Sequence, residues 1–192
     1  MIRRLYDWTL DWASHPHALW VLAAVSFVES SIFPIPPDIL LIPMVLAAPH
    51  RAWLIAGVCT VASVLGGLLG YGIGMFAFDS IGEPVLTALG KGDSFDGFTE
   101  RYNEWGAWAV LIAGVTPFPY KVITILSGVT ALSLPVFLVS SIVARGLRFF
   151  LVAGLLWKFG PPVRTFIEAR LGLMFTLACT ALLGGFLLLR YI

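Results

Sequence analysis

The chain has 192 residues, of which 59% are hydrophobic and 12% charged, and its formal net charge is +1. This composition excludes an ordinary soluble domain and is typical of a membrane protein with several spans. The near-neutral charge excludes a nucleic-acid partner, because no basic stripe is present to neutralise phosphates. The sequence has no catalytic motif or metal-ligand spacing, so we predict no enzyme activity, no metal and no cofactor.

The chain begins with an amphipathic stretch over residues 2–14. Leu5, Trp8 and Trp12 fall on one helical face, and charged side chains fall on the others. This pattern predicts an interfacial helix in the headgroup layer, with a disordered tail as the alternative.

A first apolar segment, residues 18–48, is broken by Pro34, Pro36 and Pro37. These prolines remove three amide donors and force extended backbone where a helix would need continuity. Each leg has about a dozen residues, enough to reach the middle of a bilayer but too few to cross it. We therefore predict a re-entrant hairpin around a polar cavity, with two kinked spanning helices as the alternative.

A spanning helix is predicted over residues 52–78, because no residue in that run is charged. Its Gly66, Gly70 and Gly74 predict close helix packing rather than an ion filter. Residues 79–104 follow as a polar connector, predicted to be a surface loop with an amphipathic piece.

The second half of the chain echoes the first. It has a hairpin over 105–131 and spanning helices over 134–158 and 169–190. A shift of 83 positions superposes the breaks: Pro34 on Pro117, Pro36 on Pro119, and Asp38 on Lys121. The sequence thus predicts one all-α integral membrane domain, 1–192, built as an inverted repeat.

Charge counting places the N-terminus in the cytoplasm in both the re-entrant and the spanning arrangement. The two arrangements place the 79–104 connector on opposite faces, so its side stays open. We expect a multi-pass protein of the cell inner membrane.

Two embedded carboxylates flank the first break. Glu29 precedes it and Asp38 follows it, so both can approach the hairpin tip from opposite legs. Buried carboxyl groups can exchange protons near neutral pH, which suits proton coupling. The alternative is that they cap the broken half-helices.

The second hairpin carries Lys121, which we expect to pair with Asp38 or Glu29 or to bind an anionic headgroup. A purely structural ion pair is the alternative. Hydroxyl groups predicted to line the same site belong to Thr116, Tyr120, Thr124 and Ser127.

Arg145 and Arg148 lie three residues apart, on adjacent faces of one helical turn. Arginine presents planar, bidentate donors suited to phosphate. The alternative is that the two arginines reach a headgroup layer or neutralise Glu29 and Asp38.

The motifs FPIPPD, PFPYK with ILSG, and RGLRFF together resemble the DedA superfamily, also called the SNARE-associated or VTT family, and most of all its YqaA-like branch. The resemblance implies two opposed re-entrant hairpins and movement of lipids across membranes, with dependence on the proton-motive force. It implies carrier recycling of polyprenyl phosphates in bacteria and phospholipid scrambling in eukaryotes. By this resemblance, Glu29 and Asp38 match acidic positions of the family. Lys121, Arg145 and Arg148 match its basic positions.

One departure concerns the start of the second hairpin, where many family members have an arginine and this chain has Gly114 and Val115. The resemblance therefore does not name the lipid.

We expect a transporter or flippase for a lipid with an anionic headgroup, a phospholipid or a polyprenyl phosphate, coupled to protons. Lys121, Arg145 and Arg148 would bind the anion, and Glu29 and Asp38 would exchange protons. The alternatives are a proton- or ion-coupled transporter of a small solute and a non-transporting membrane organisation factor. The expected partners are membrane lipids and protons, and a homo-oligomer is compatible with the sequence.

Overall fold

The computed structural model describes residues 17–33, 36–82, 84, 92–116, 118–160 and 162, and this part of the chain is helical without strands. The predicted interfacial helix 2–14 and the predicted spanning helix 169–190 lie outside the described residues. Two of the predicted break positions, Pro34 and Pro117, also lie outside them.

The helices in chain order are α1 (Ala18–Ser31), α2 (Asp38–Ala47), α3 (Ala52–Ala77), α4 (Gly92–Val115), α5 (Tyr120–Val129) and α6 (Leu134–Gly160). A 3₁₀ turn over Pro49–Arg51 joins α2 to α3, and a π-type turn over Phe78–Gly82 follows α3. The helices that follow the two proline-rich turns, α2 and α5, have 10 residues each.

Within the described residues, two helical stretches are long and apolar enough to cross a membrane by length and composition, Pro49–Ala77 and Leu134–Gly160. They lie where the sequence predicts spanning helices, over 52–78 and 134–158. The runs can form helices because neither contains an internal proline after its first two residues.

The structure differs from the sequence prediction in α4, which runs unbroken across the expected boundary between connector and hairpin. No proline interrupts this helix, and its polar first half has an aromatic stripe. Phe95 stacks on Phe78 with ring centroids 4.7 Å apart, and Phe98 and Tyr102 continue the row. This stripe gives the first half of α4 an apolar face, so the predicted loop is helical from Gly92 onward.

Helix α1 runs beside α3 in the same direction. The Ser26 hydroxyl donates to the carbonyl oxygen of Cys59 (2.9 Å), and the Ser30 and Ser63 hydroxyls lie 2.7 Å apart. A step of four residues along α1 thus matches a step of four along α3. Because Ser63 is near the middle of α3, α1 ends level with that midpoint, and α2 leads back to the start of α3.

Helix α5 also runs parallel to α3, along its other half. Tyr120, the first residue of α5, lies beside Gly67, and Thr124 lies beside Gly70 one turn further on. The start of α5 is therefore level with the middle of α3. The helix pairs α1–α2 and α4–α5 approach this level from opposite ends of α3 and turn there.

Glycines allow these close approaches. A Cβ atom on Gly66 would overlap the backbone of Phe27 in α1, and one on Gly74 would overlap the backbone of Ile125 in α5. This confirms the prediction that the glycines of α3 serve helix packing, since any side chain there would push the neighbouring helix away.

Two apolar clusters occupy opposite ends of the bundle. The first gathers residues of α1, α2, α3 and α6: Ala18, Leu22, Leu41, Met44, Val45, Ala52, Ile55, Ala56, Cys59, Phe149, Ala153 and Leu156. The second gathers residues around the later half of α3: Tyr71, Val110, Tyr120, Leu132 and Phe137. The charged residues that the sequence singles out lie between the two clusters.

Candidate functional site

The candidate site lies where the two turns meet the middle of α3 and α6. Helix α6 supplies Arg145 and Arg148, and their three-residue spacing sends them to different neighbours. The α1–α2 pair supplies the carboxylates Glu29 and Asp38, and α5 supplies Lys121. The structure joins four of these residues in two ion pairs, Arg145 with Glu29 and Arg148 with Asp38. It places Lys121 against the C-terminal end of α1.

Arg145 is one of the largest fully enclosed side chains, with 2% of its side chain exposed. Its Nη2 donates to Glu29 Oε2 at 2.9 Å, and its Nε donates to the Ser63 hydroxyl at 2.6 Å. The guanidinium also lies over the rings of Tyr120 and Phe149, 4.7 and 4.6 Å from their centroids. Such contacts offset the cost of removing the charge from water.

Arg148 forms the second ion pair. Its Nη2 donates to Asp38 Oδ2 at 2.6 Å, and its Nη1 donates to the carbonyl oxygen of Thr116 at 2.7 Å. Both members of this pair have 20% of their side chains exposed. The Nε of Arg148 is buried and has no hydrogen-bond partner among the described residues. This arginine joins the turns of both helix pairs to α6.

Lys121 differs from its predicted role as the partner of a carboxylate. Its Nζ donates to the carbonyl oxygen of Ile32, at the C-terminal end of α1, at 3.1 Å. Helix C-termini carry partial negative charge and free carbonyls, so they suit an ammonium group. The carboxylates are instead paired with the arginines of α6, as the alternative interpretation of those arginines allows.

A chain of hydroxyl groups surrounds the ion pairs. The Ser30 hydroxyl donates to Glu29 Oε2 at 3.0 Å and contacts Ser63, which accepts from Arg145. The Tyr120 hydroxyl donates to Ser141 at 2.5 Å. The carboxylate of Glu29 therefore sits in a network that fixes its orientation.

The predicted polar lining is only partly gathered at the site. Thr116 contributes its carbonyl oxygen to Arg148, and Tyr120 contributes its ring to Arg145. Thr124 donates to the carbonyl oxygen of Ser30 at 3.0 Å, which ties α5 to α1. Ser127, two turns along α5 from Tyr120, is paired with Tyr102 instead.

The described prolines of the predicted breaks mark the starts of the two short helices. Pro37 precedes α2, and its carbonyl oxygen accepts the N–H of Leu41. Pro119 precedes α5 in an extended conformation, with φ −61° and ψ 103°. Pro36 lies at the same turn as Pro37 and is exposed. Proline suits these positions because the first turn of a helix has no acceptor for its N–H.

Sequence reasoning missed three participants: Ser30, Ser63 and Phe149. Ser26 and Ser30 lie four residues apart on one face of α1, a spacing that could have indicated a polar contact with α3. Ser63 stands in a run of small apolar residues, where the sequence gives no sign that an arginine reaches it. In the described residues, no group of three His, Cys, Asp or Glu side chains could hold a metal ion.

Comparison with known proteins gives the family. A model of the VTT domain matches residues 35–158, a stretch that contains Asp38, Lys121, Arg145 and Arg148. An uncharacterized protein of Haemophilus influenzae is 39% identical over 168 residues, which cover 85% of this chain and 87% of that protein. An uncharacterized protein of Histophilus somni is 40% identical with the same coverage. No solved structure matches the chain.

The match spans more than half of the chain, and it covers Pro49–Ala77 and all but the last two residues of Leu134–Gly160, the two described helices that are long enough to cross a membrane. The motifs around the two turns and in α6 fall within it or directly before it. The chain therefore belongs to the DedA family of VTT-domain membrane proteins.

Proposed function

We propose that this protein moves a lipid with an anionic headgroup across the cell inner membrane and couples that movement to protons. The observation that carries the proposal is the two ion pairs near the middle of α3, together with Lys121 at the C-terminal end of α1. Membrane proteins place charges at such depth at sites for ions, protons or substrates. The proposal includes no chemical step.

The position of the turns supports a re-entrant arrangement. Helix α3 has 26 residues, a length of about 39 Å, which exceeds the hydrocarbon core of about 30 Å. The middle of α3 would then lie near the bilayer midplane, and so would both turns. The equal lengths of α2 and α5, each followed by a long apolar helix, suit two halves of an inverted repeat.

The charge balance of the cluster favours an anion. The site residues comprise three cations and two carboxylates, and each carboxylate is paired with an arginine. The positive charge of Lys121 is therefore in excess, and among the described residues its ammonium donates to the backbone carbonyl of Ile32. A phosphate-bearing headgroup would neutralise the excess and accept hydrogen bonds from several donors at once.

Proton coupling would use the carboxylates of Glu29 and Asp38. Each is paired with an arginine at hydrogen-bond distance. Protonation of either carboxylate would weaken its ion pair, and protonation of Asp38 would free Arg148 for the headgroup. Proton binding and headgroup binding would then be linked through the same side chains.

The test uses the purified chain in liposomes with a fluorescent phosphatidic acid or phosphatidylcholine and follows movement between leaflets. We expect flux of the anionic lipid to fall at least about tenfold in Lys121→Ala and Asp38→Ala, because each loses a cluster charge. Arg101→Gln, which removes an exposed arginine of α4, is the matched control. Unchanged flux in both cluster variants would reject the site, and solute uptake without lipid movement would support the small-solute alternative.

A non-transporting organisation factor is the second candidate, because both carboxylates already have arginine partners within the protein. The exchange Asp38→Arg with Arg148→Asp separates the two functions. A structural pair tolerates the exchange, whereas a transport site that reads the sign at each position loses flux while the protein stays folded.

A further inference from the structure

The two ion pairs differ in how completely each arginine is satisfied. Arg145 uses its Nε on Ser63 and its Nη2 on Glu29, and two aromatic rings cover its faces. Only 2% of its side chain and 12% of that of Glu29 are exposed. Little of this guanidinium remains available to a ligand.

Arg148 has a hydrogen-bond donor without a partner among the described residues. Its two terminal nitrogens donate to Asp38 and to the carbonyl oxygen of Thr116. Its Nε is buried without an acceptor among the described residues, and an unpaired buried donor is costly. The side chains of Arg148 and Asp38 are each 20% exposed, so this pair is open to an incoming group.

A phosphate group fits Arg148 better than Asp38 does in the observed geometry. Nε and one terminal nitrogen of a guanidinium point in nearly the same direction and can donate together to two oxygens of one anion. Asp38 uses only Nη2 in the structure and leaves Nε unused. A phosphate that took the place of Asp38 would satisfy both.

We propose that the two ion pairs have separate roles. Arg145 and Glu29 form a permanent tie between α1 and α6, whereas Arg148 exchanges Asp38 for the phosphate group of the transported molecule. This inference rests on the proposed function, because it assigns the headgroup contact to one of the three cations. The ligand chemistry is a phosphate mono- or diester, from a lipid headgroup or from free phosphate.

The exchange makes Asp38 a competitor of the ligand. Removing its charge leaves Arg148 free, so Asp38→Asn should bind phosphate groups more tightly than the wild type. Removing the charge of Glu29 has a different effect, because Arg145 stays enclosed by Tyr120 and Phe149. Glu29→Gln should lower the thermal unfolding temperature and should not tighten phosphate binding.

The experiment measures binding to the purified full chain in detergent with two probes, inorganic phosphate and water-soluble dihexanoyl phosphatidic acid. We expect Asp38→Asn to lower the Kd of at least one probe about tenfold, or 1.4 kcal/mol of binding free energy. Binding of both probes points to a free phosphate group, and binding of the lipid alone points to a headgroup. Unchanged or weaker binding in Asp38→Asn, or equal tightening in Glu29→Gln, would overturn the inference.

A second variant guards against misfolding of the first. Arg148→Lys keeps a cation for Asp38 but loses the two-donor fork, so it should stay folded and bind the probe about tenfold more weakly. Wild-type affinity in this variant would also overturn the inference. These binding measurements do not depend on lipid movement. If vesicles with the wild-type protein showed no lipid movement, the proposed function would be rejected and the binding results would still stand.

Discussion

The α1–α2 pair and the α4–α5 pair reach the middle of α3 from opposite ends, but different interactions fasten them. The α1–α2 pair is bound to α6 through charge, by Glu29 and Asp38. The α4–α5 pair contributes no carboxylate to α6 in the described residues; it is bound by the hydrogen bond from Tyr120 to Ser141 and by the Thr116 carbonyl oxygen, which accepts from Arg148. Protonation would weaken a carboxylate contact but not a hydroxyl or carbonyl contact, so the proton coupling that we propose would act on the α1–α2 pair.

Loss of the Arg145 charge should have the largest effect on the free energy of unfolding. We expect Arg145→Met to destabilise the protein by about 3–5 kcal/mol, because Glu29 would be left as a buried charge without its cation. The double variant with Glu29→Leu should recover most of this loss, since a well-packed apolar pair can replace a buried ion pair. Denaturant unfolding in detergent measures both, with Arg101→Met as the exposed control. A loss no larger than that of the control would contradict the view that charge fastens the α1–α2 pair.

A smaller effect tests what the two pairs share. Both contact α3 through glycine, α1 at Gly66 and α5 through its own Gly128, whose Cβ would overlap the backbone of Tyr71. We expect Gly66→Ala and Gly128→Ala each to cost about 1–3 kcal/mol of unfolding free energy through overpacking. Gly57→Ala is the control, because a Cβ there has open space. If either variant matched Gly57→Ala, the helices would not be in the close contact described.

The smallest expected effect compares one hydroxyl from each side. Tyr71 donates to the carbonyl oxygen of Leu132 at 2.7 Å, in the turn before α6, and Ser26 donates to the carbonyl oxygen of Cys59. The Cys59 oxygen lies inside α3 and keeps its helical hydrogen bond when the serine is lost. We expect Tyr71→Phe to cost about 1–2 kcal/mol and Ser26→Ala about 0.5–1 kcal/mol by thermal unfolding. A larger loss in Ser26→Ala than in Tyr71→Phe would contradict this explanation and would show that the α1 hydroxyl contact contributes more to stability.

Much of the helical order follows from the sequence. The charge-free runs 52–78 and 122–144 predict the long helices, and the prolines predict the turns before α2 and α5. The continuous α4 was not predicted, because its first half has the polarity of a loop. Only the tertiary contact with Phe78 reveals the aromatic stripe that keeps it helical.

The sequence singles out five charged residues, and the observed pairing of the two arginines with Glu29 and Asp38 is the alternative that it allows rather than the pairing through Lys121 that we expected. The repeat places Asp38 and Lys121 at equivalent positions, which favours pairing between them. Which residues pair depends on the position of α6 along its axis relative to α2 and α5. That position is set by tertiary packing and does not follow from the sequence pattern. In the structure, α6 sits at the level where Arg148 reaches Asp38, and Lys121 meets the end of α1 instead.

The glycine contacts of α3 also limit where hydrocarbon tails can lie. Two helices whose backbones touch leave no room for an acyl chain between them, so the crevices of α3 with α1 and α5 are closed to lipid. Leu147 and Leu151, which flank Arg148 on α6, are each 54% exposed. A lipid whose headgroup reached Arg148 would rest its tails on this outer surface of α6, so the headgroup would enter the protein while the tails stayed in the bilayer.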